Sequence, residues 1–221
     1  MNSGTLSYSL FCYCGNSPVL RVDSLGYAWT ILAKVATAVV SVALVAHIAN
    51  AATSLLHANY NKSHDTKYIV HDQNNVNMKL GGRTFAEAGC GAAATHNAII
   101  LAGGSSSLAA VVEFMQSHDL TLGFAGVYFT NIQLYLKRKG YSNKIYLTKL
   151  KNNIDKKIKD CKSKIAILAY KHSSGGHYVA IKYDNKNRKF YVYNDYDYQL
   201  DSIDNWITKN SYSPLCLITI K

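Results

Sequence analysis

The hydrophobic period of this 221-residue chain changes once, near Ile165, and that change constrains the fold more than any single motif. Before it, apolar residues recur at helical spacing; after it, they form short runs and alternations. The first part predicts a helix from Cys90, with Ala94, Ala98 and Leu101 on one face and Gly103-Gly104 as its stop. A second covers residues 108–116, apolar on Leu108, Val111, Val112 and Met115. A third is opened by Thr130 and Gln133 in capping-box form, turns Ile132, Tyr135 and Leu136 inward, and is closed by Gly140. A fourth starts near Leu150 and carries Ile154, Ile158 and Cys161 on one stripe. Strands follow at 165–170, 177–183 and 190–194, then a short helix around Trp206 and a last strand at 215–220. Helices first and an antiparallel sheet after predict an α+β fold.

The net charge of +11 is concentrated. Residues 137–164 hold eleven Lys or Arg against two Asp, a local excess of nine. Such a run is ordinarily a solvated helix face and its flanks; as a functional patch it would suit an anionic membrane, a wall polymer or an acidic peptide. Nucleic acid is not expected, because no zinc-finger spacing, ribonucleoprotein motif or dinucleotide fingerprint is present. Cysteines at 12, 14, 90, 161 and 216 are odd in number and scattered, so they do not form a disulfide framework. Cys12 and Cys14 stand too close for the usual zinc pair.

Residues 35–46, VATAVVSVALVA, carry no charge and follow Lys34. Three readings compete. One is an export signal cut near the small-x-small triplet Ala49-Asn50-Ala51, with Arg21 and Lys34 supplying the inner positive charge. The second is a membrane anchor from about Trp29 to Leu55. The third is a core helix of a soluble protein. Residues 1–56 are therefore read as a leader, 57–80 as a polar His/Asn-rich linker, and 81–221 as the main domain. The first two readings put that domain outside the cytoplasm, secreted or membrane-anchored. His57, His64 and His71 recur every seven residues but lack cysteine or carboxylate company, so no metal is expected.

Cys90 lies between Gly89 and Gly91 at a helix start. Unpaired N–H groups and the helix dipole there favour a thiolate, and the glycines would let a substrate backbone approach. A nucleophilic thiol needs an imidazole to hold its proton and a third group to fix the ring. His177 opens a strand, and period two aligns it with Val179 and Ile181, a face expected to meet the helices. On the neighbouring strand Asn194 shares a face with Phe190 and Val192, which favours it as the orienting residue; Asp195 is the alternative. His96, on a different side of the Cys90 helix, and His118 and His172, in expected loops, read as core or surface residues.

The segments EAGCGAAATHNAIILAGG around Cys90, LTLGFAGVYFTNIQLYLKRKGY in the middle and GGHYVAIKY…KFYVYND around His177 resemble the papain-like cysteine peptidases, nearest to the bacteriocin-processing (double-glycine leader) peptidases and their stand-alone bacterial relatives. The resemblance runs from about Thr84 to Lys221. It implies a helical half carrying the nucleophile packed on an antiparallel sheet carrying His and Asn or Asp. It also implies peptide-bond cleavage through a thioester, without cofactor, on a peptide or protein substrate. The nucleophile would be Cys90, the base His177 and the third member Asn194 or Asp195. The family's oxyanion Gln, six positions before the cysteine, is Thr84 here. The Cys90 N–H remains a donor, and Thr84 or a residue of the 74–77 loop would have to replace the amide; loss of one such donor costs about 10²–10³ in rate. Two alternatives stand beside the peptidase: a wall-peptide amidase or acyltransferase of the same chemistry, and an inactive peptidase fold that only binds.

Overall fold

The computed structural model describes residues 24–118, 126–148, 150–195 and 198–221, with side chains from Ile31 onward. Cys12, Cys14 and Arg21, residues 119–125 (which include the start of the middle motif), and Lys149 of the basic run lie outside the described residues. Two compact units are defined, residues 1–45 and 46–221.

Helix α1 (Ser24–Ser63) is 40 residues long. Within its stretch Ile31–Ser63 an 18-residue window has a mean hydropathy of 2.1, and the helix is long and apolar enough to cross a membrane. None of its apolar window is buried within the chain. Val39, Val42 and Val45 are all more than 60% exposed.

The last turns of α1 and the segment behind them are part of the second unit. The stretch expected to be a linker is instead a strap on the domain. Asn61 exchanges two hydrogen bonds with the main chain of Lys79, and Tyr60 donates to Asn77. Val70 exchanges two more with the Asn97 carboxamide. Asp65 accepts the Ala109 N–H. Val70, Met78 and Leu80 are buried. A run of polar residues hides this packing, because its asparagines are spent on main-chain groups rather than on water.

A small ribbon, β1 (Lys79–Leu80) and β2 (Arg83–Thr84), leads into α2 (Phe85–Ala88), α3 (Cys90–Leu101), α4 (Leu108–Ser117) and α5 (Phe129–Arg138). Helix α5 begins one residue before the expected capping box. Tyr128 is its N-cap and its carbonyl already takes the N–H groups of Asn131 and Ile132. After β3 (Asn143–Tyr146) and α6 (Ile154–Asp160) come β4 (Ile165–His172), β5 (Gly175–Asp184), β6 (Lys189–Tyr193), β7 (Gln199–Leu200), α7 (Ile203–Lys209) and β8 (Ser213–Ile220). The fold is α+β, with a six-stranded antiparallel sheet in the order β3-β8-β4-β5-β6-β7.

Both faces of this sheet are covered. Ile165, Ile167, Ala169, Ala180 and Ile218 pack with Phe85, Ala94, Val112 and Leu136 of the first helices. Ala166, Leu168, Val179, Ile181 and Val192 pack with Ile154, Ile158, Trp206 and Ile207 of α6 and α7. Those last two helices cap each other: Asp204 accepts the first N–H groups of α6, and Asp155 accepts those of Ile203 and Asp204.

Candidate active site

Cys90 is the first residue of α3, joined to α2 through Gly89. The Gly89 N–H donates to Phe85 O at 2.7 Å, which turns the chain tightly. A Cβ on Gly89 would stand 2.5 Å from that same oxygen and from the Phe85 ring. One on Gly91 would stand 2.5 Å from Val127 Cβ. The space beside both glycines is thus taken by Phe85 and Val127, not left for a substrate. Gly89→Ala is expected to destabilise the chain by about 1–3 kcal/mol, because the clash is partly with main chain. A lowered urea midpoint checks it; an unchanged midpoint would mean that α2 shifts freely.

The Cys90 sulfur faces the main-chain N–H groups of Tyr178, Gly91 and Cys90 itself. These lower its pKa, but burial raises it more, and the net direction is up. Part of the residue still reaches the surface. The expectation that a helix start would make this thiol acidic is therefore reversed by desolvation. A cavity of about 460 Å³ opens beside it, lined by Glu87, Val127, Tyr128, Gly175, Gly176 and Tyr178 among others.

His177 is on β5, paired with Tyr170 of β4. Its ring lies edge-on to Tyr170 at 5.8 Å. Nε2 is 2.7 Å from the main-chain oxygen of Asn194. A carbonyl only accepts, so Nε2 carries the proton and Nδ1 is left as the acceptor. Burial lowers the His177 pKa, partly offset by the Asn194 carbonyl and by the Asp195 charge. The ring lines a second cavity with Asp72, Gln73, His172, Asn194 and Asp195, and Ser174 borders both cavities. No hydrogen bond joins Cys90 to His177 among the described residues.

Two expectations about this strand are corrected. Val179 and Ile181 face α6 and α7, not the helices beside Cys90; Tyr178 and Ala180 meet the latter. With both faces of the sheet buried, apolarity does not tell which layer a face meets. Asn194 does neighbour His177, but through its carbonyl. It follows the end of β6 with φ 71°, and its side chain is engaged elsewhere. Asp195 accepts from the buried Tyr170 hydroxyl at 2.7 Å. That bond and burial push the tyrosine's pKa far up.

Thr84 is committed too. Its N–H and its hydroxyl both donate to Glu87 Oε2 at 2.9 Å, and they hold that carboxyl below its usual range. The hydroxyl thus has a partner other than a substrate oxyanion. The residue that sequence reasoning missed is Gln73, just outside the 74–77 loop considered for the oxyanion. In HDQNN it carries no periodic or spacing signal.

The remaining histidines and cysteines have local partners. His96 is fully buried between Ser106 Oγ and Tyr68 O. His118 caps α4. His172 ends β4 rather than lying in a loop, with Nδ1 2.9 Å from Ser174 Oγ. Among the described residues no group of three His, Cys, Asp or Glu could hold a metal ion. Cys161 and Cys216 are core residues, and burial pushes the latter's pKa up to about 11.

No protein-family model matches the chain, and comparison with curated proteins gives no match either.

Proposed function

We propose that the chain is a papain-like cysteine peptidase, tethered to a membrane or exported through α1, with Cys90 as nucleophile and His177 as base. The observation that supports the reading is the His177 ring: its Nε2–H is tied to Asn194 O, which leaves Nδ1 free to act as the base, and its cavity shares Ser174 with the one beside Cys90 at the head of α3. As a peptide carbonyl enters the Cys90 cavity, the S–H proton passes to Nδ1 and sulfur bonds the carbonyl carbon. The imidazolium then protonates the departing amine and leaves a thioester. Water, deprotonated by Nδ1, hydrolyses the thioester and restores the thiol. The Tyr178, Gly91 and Cys90 N–H groups that face the sulfur are the candidate oxyanion donors.

The two pKa directions give this reading a pH signature. Cys90 is raised and His177 lowered, so the resting pair is neutral thiol and neutral imidazole. A base must be unprotonated to act, so the acid limb of kcat/KM is expected below the ordinary histidine range. Alkylation of Cys90 by iodoacetamide is expected to climb only above the ordinary thiol range. An alkylation plateau in mildly acidic buffer would mean a stable thiolate–imidazolium pair and would contradict this account.

A second reading is a binding module on the same fold. It is favoured by the missing sulfur–imidazole hydrogen bond and by the commitment of Thr84 to Glu87. Absence of Cys90-dependent hydrolysis of peptides, with retained capture of the same peptides, would select it.

A further inference from the structure

We propose that Gln73 is a positioning residue that ties the nucleophile's segment to the base's; the proposal rests on the Cys90–His177 reading. Gln73 is only 9% exposed, and all of its amide is engaged. Its main-chain N–H donates to Asn194 Oδ1 at 3.0 Å, and its Oε1 accepts from Asn194 Nδ2 at 3.1 Å. Its Nε2 donates to Ala86 O at 2.6 Å. Ala86 is in α2, four residues before Cys90, and Asn194 is the residue whose carbonyl holds the His177 ring. One side chain thus spans the two halves of the site.

The geometry at Asn194 explains why such a tie matters. Its backbone is left-handed, a conformation that costs a non-glycine residue about 1–2 kcal/mol unless local bonds support it. Here the support is the carboxamide, held by Gln73 and by Tyr178 O. If the side chain is released, the peptide at 194–195 is free to turn. The carbonyl then leaves Nε2, and Nε2–H loses its advantage over Nδ1–H. A ring protonated on Nδ1 offers no acceptor on that side for the thiol proton. Gln73 lines the cavity of His177 and not the one beside Cys90, so its loss is expected to act first on the base.

The test uses the full chain in detergent or nanodiscs. Gln73→Ala is expected to lower kcat by about 10–100-fold with KM little changed, the scale of a misplaced catalytic group. The ¹⁵N signature of His177 should move from one Nε2–H tautomer to a mixture. Gln73→Glu gives a sharper result. An ionised carboxyl would oppose the Ala86 carbonyl, whereas a protonated one donates to it as the amide does. Activity relative to the parent should therefore recover as pH falls through that carboxyl's pKa and vanish as it rises. A merely structural role would produce no such reversible limb. A kcat within about twofold of the parent and an unchanged His177 tautomer in Gln73→Ala would overturn the proposal. If the parent itself shows no Cys90-dependent turnover, the peptidase reading fails, and the tautomer alone decides: a mixture supports the tie, and a single Nε2–H form refutes it.

Discussion

Cys90→Ala is expected to abolish peptide hydrolysis, with a loss of about 10⁴–10⁶ in kcat, the range for removing one member of a unit that acts together. His177→Ala should cost nearly as much, and the double variant little more than either. Without the imidazole there is no acceptor for the thiol proton, and without the thiol there is nothing to form the thioester. The substitution at 90 removes one sulfur from a half-buried site, so the fold should persist. Near-ultraviolet circular dichroism and an unchanged urea midpoint check that. A fluorogenic peptide library, read with parent and variants side by side, gives the rates. Equal turnover by Cys90→Ala and the parent would end the peptidase reading.

Much of the architecture was legible because the period of the apolar residues is strong. The stripe of Ile154, Ile158 and Cys161 is buried as the spacing required, although the helix starts at Ile154 and not near Leu150. The strands from Ile165 onward pair as an antiparallel sheet, with one register shift between β4 and β8 at Ala169/Tyr170. What was not legible has a common cause: polar residues whose partners are distant main-chain groups. Asn61, Asn97 and Asp65 make 65–80 part of the domain, and no pattern within a short window reveals that. The basic run is similar. Lys144 and Lys157 cover the Tyr146 ring, Lys159 covers Tyr183 and Phe190, and Arg138 covers Phe114. These cations serve as lids on aromatic side chains, a use that net charge does not disclose.

The candidate site's residues were picked out by residue type, but their hydrogen bonds were not legible. Glycines around a cysteine at a helix start, and a histidine at a strand start, marked Cys90 and His177 by residue type. Which atom of Asn194 meets the imidazole depends on one left-handed dihedral after β6, and a sequence window carries no sign of it. Whether the thiol is acidic depends on a balance between three N–H groups and burial, and only the three-dimensional surroundings fix its sign.

Phe85→Ala is expected to have the largest effect on stability, about 3–5 kcal/mol, the cost of emptying a fully buried aromatic site. Phe85 is completely buried and is the first residue of α2. Its N–H donates to Met78 O, and its carbonyl takes the Gly89 N–H that sets Cys90 at the head of α3. Its ring occupies the space a Gly89 side chain would need. Removing the ring leaves a cavity beside Gly89, one residue before Cys90. Water or local motion there would relieve the burial that holds the thiol protonated. Cys90 alkylation at neutral pH should accordingly rise, under conditions where the chain remains folded. Phe190→Ala is the control, since that ring is as deeply buried but packs with α6 and α7 on the other face of the sheet. It should cost a similar free energy in urea unfolding and leave Cys90 reactivity at the parent level. If both variants accelerated alkylation equally, global loosening would be the cause. A rise confined to Phe85→Ala would mean that packing under α2 sets the protonation of the nucleophile.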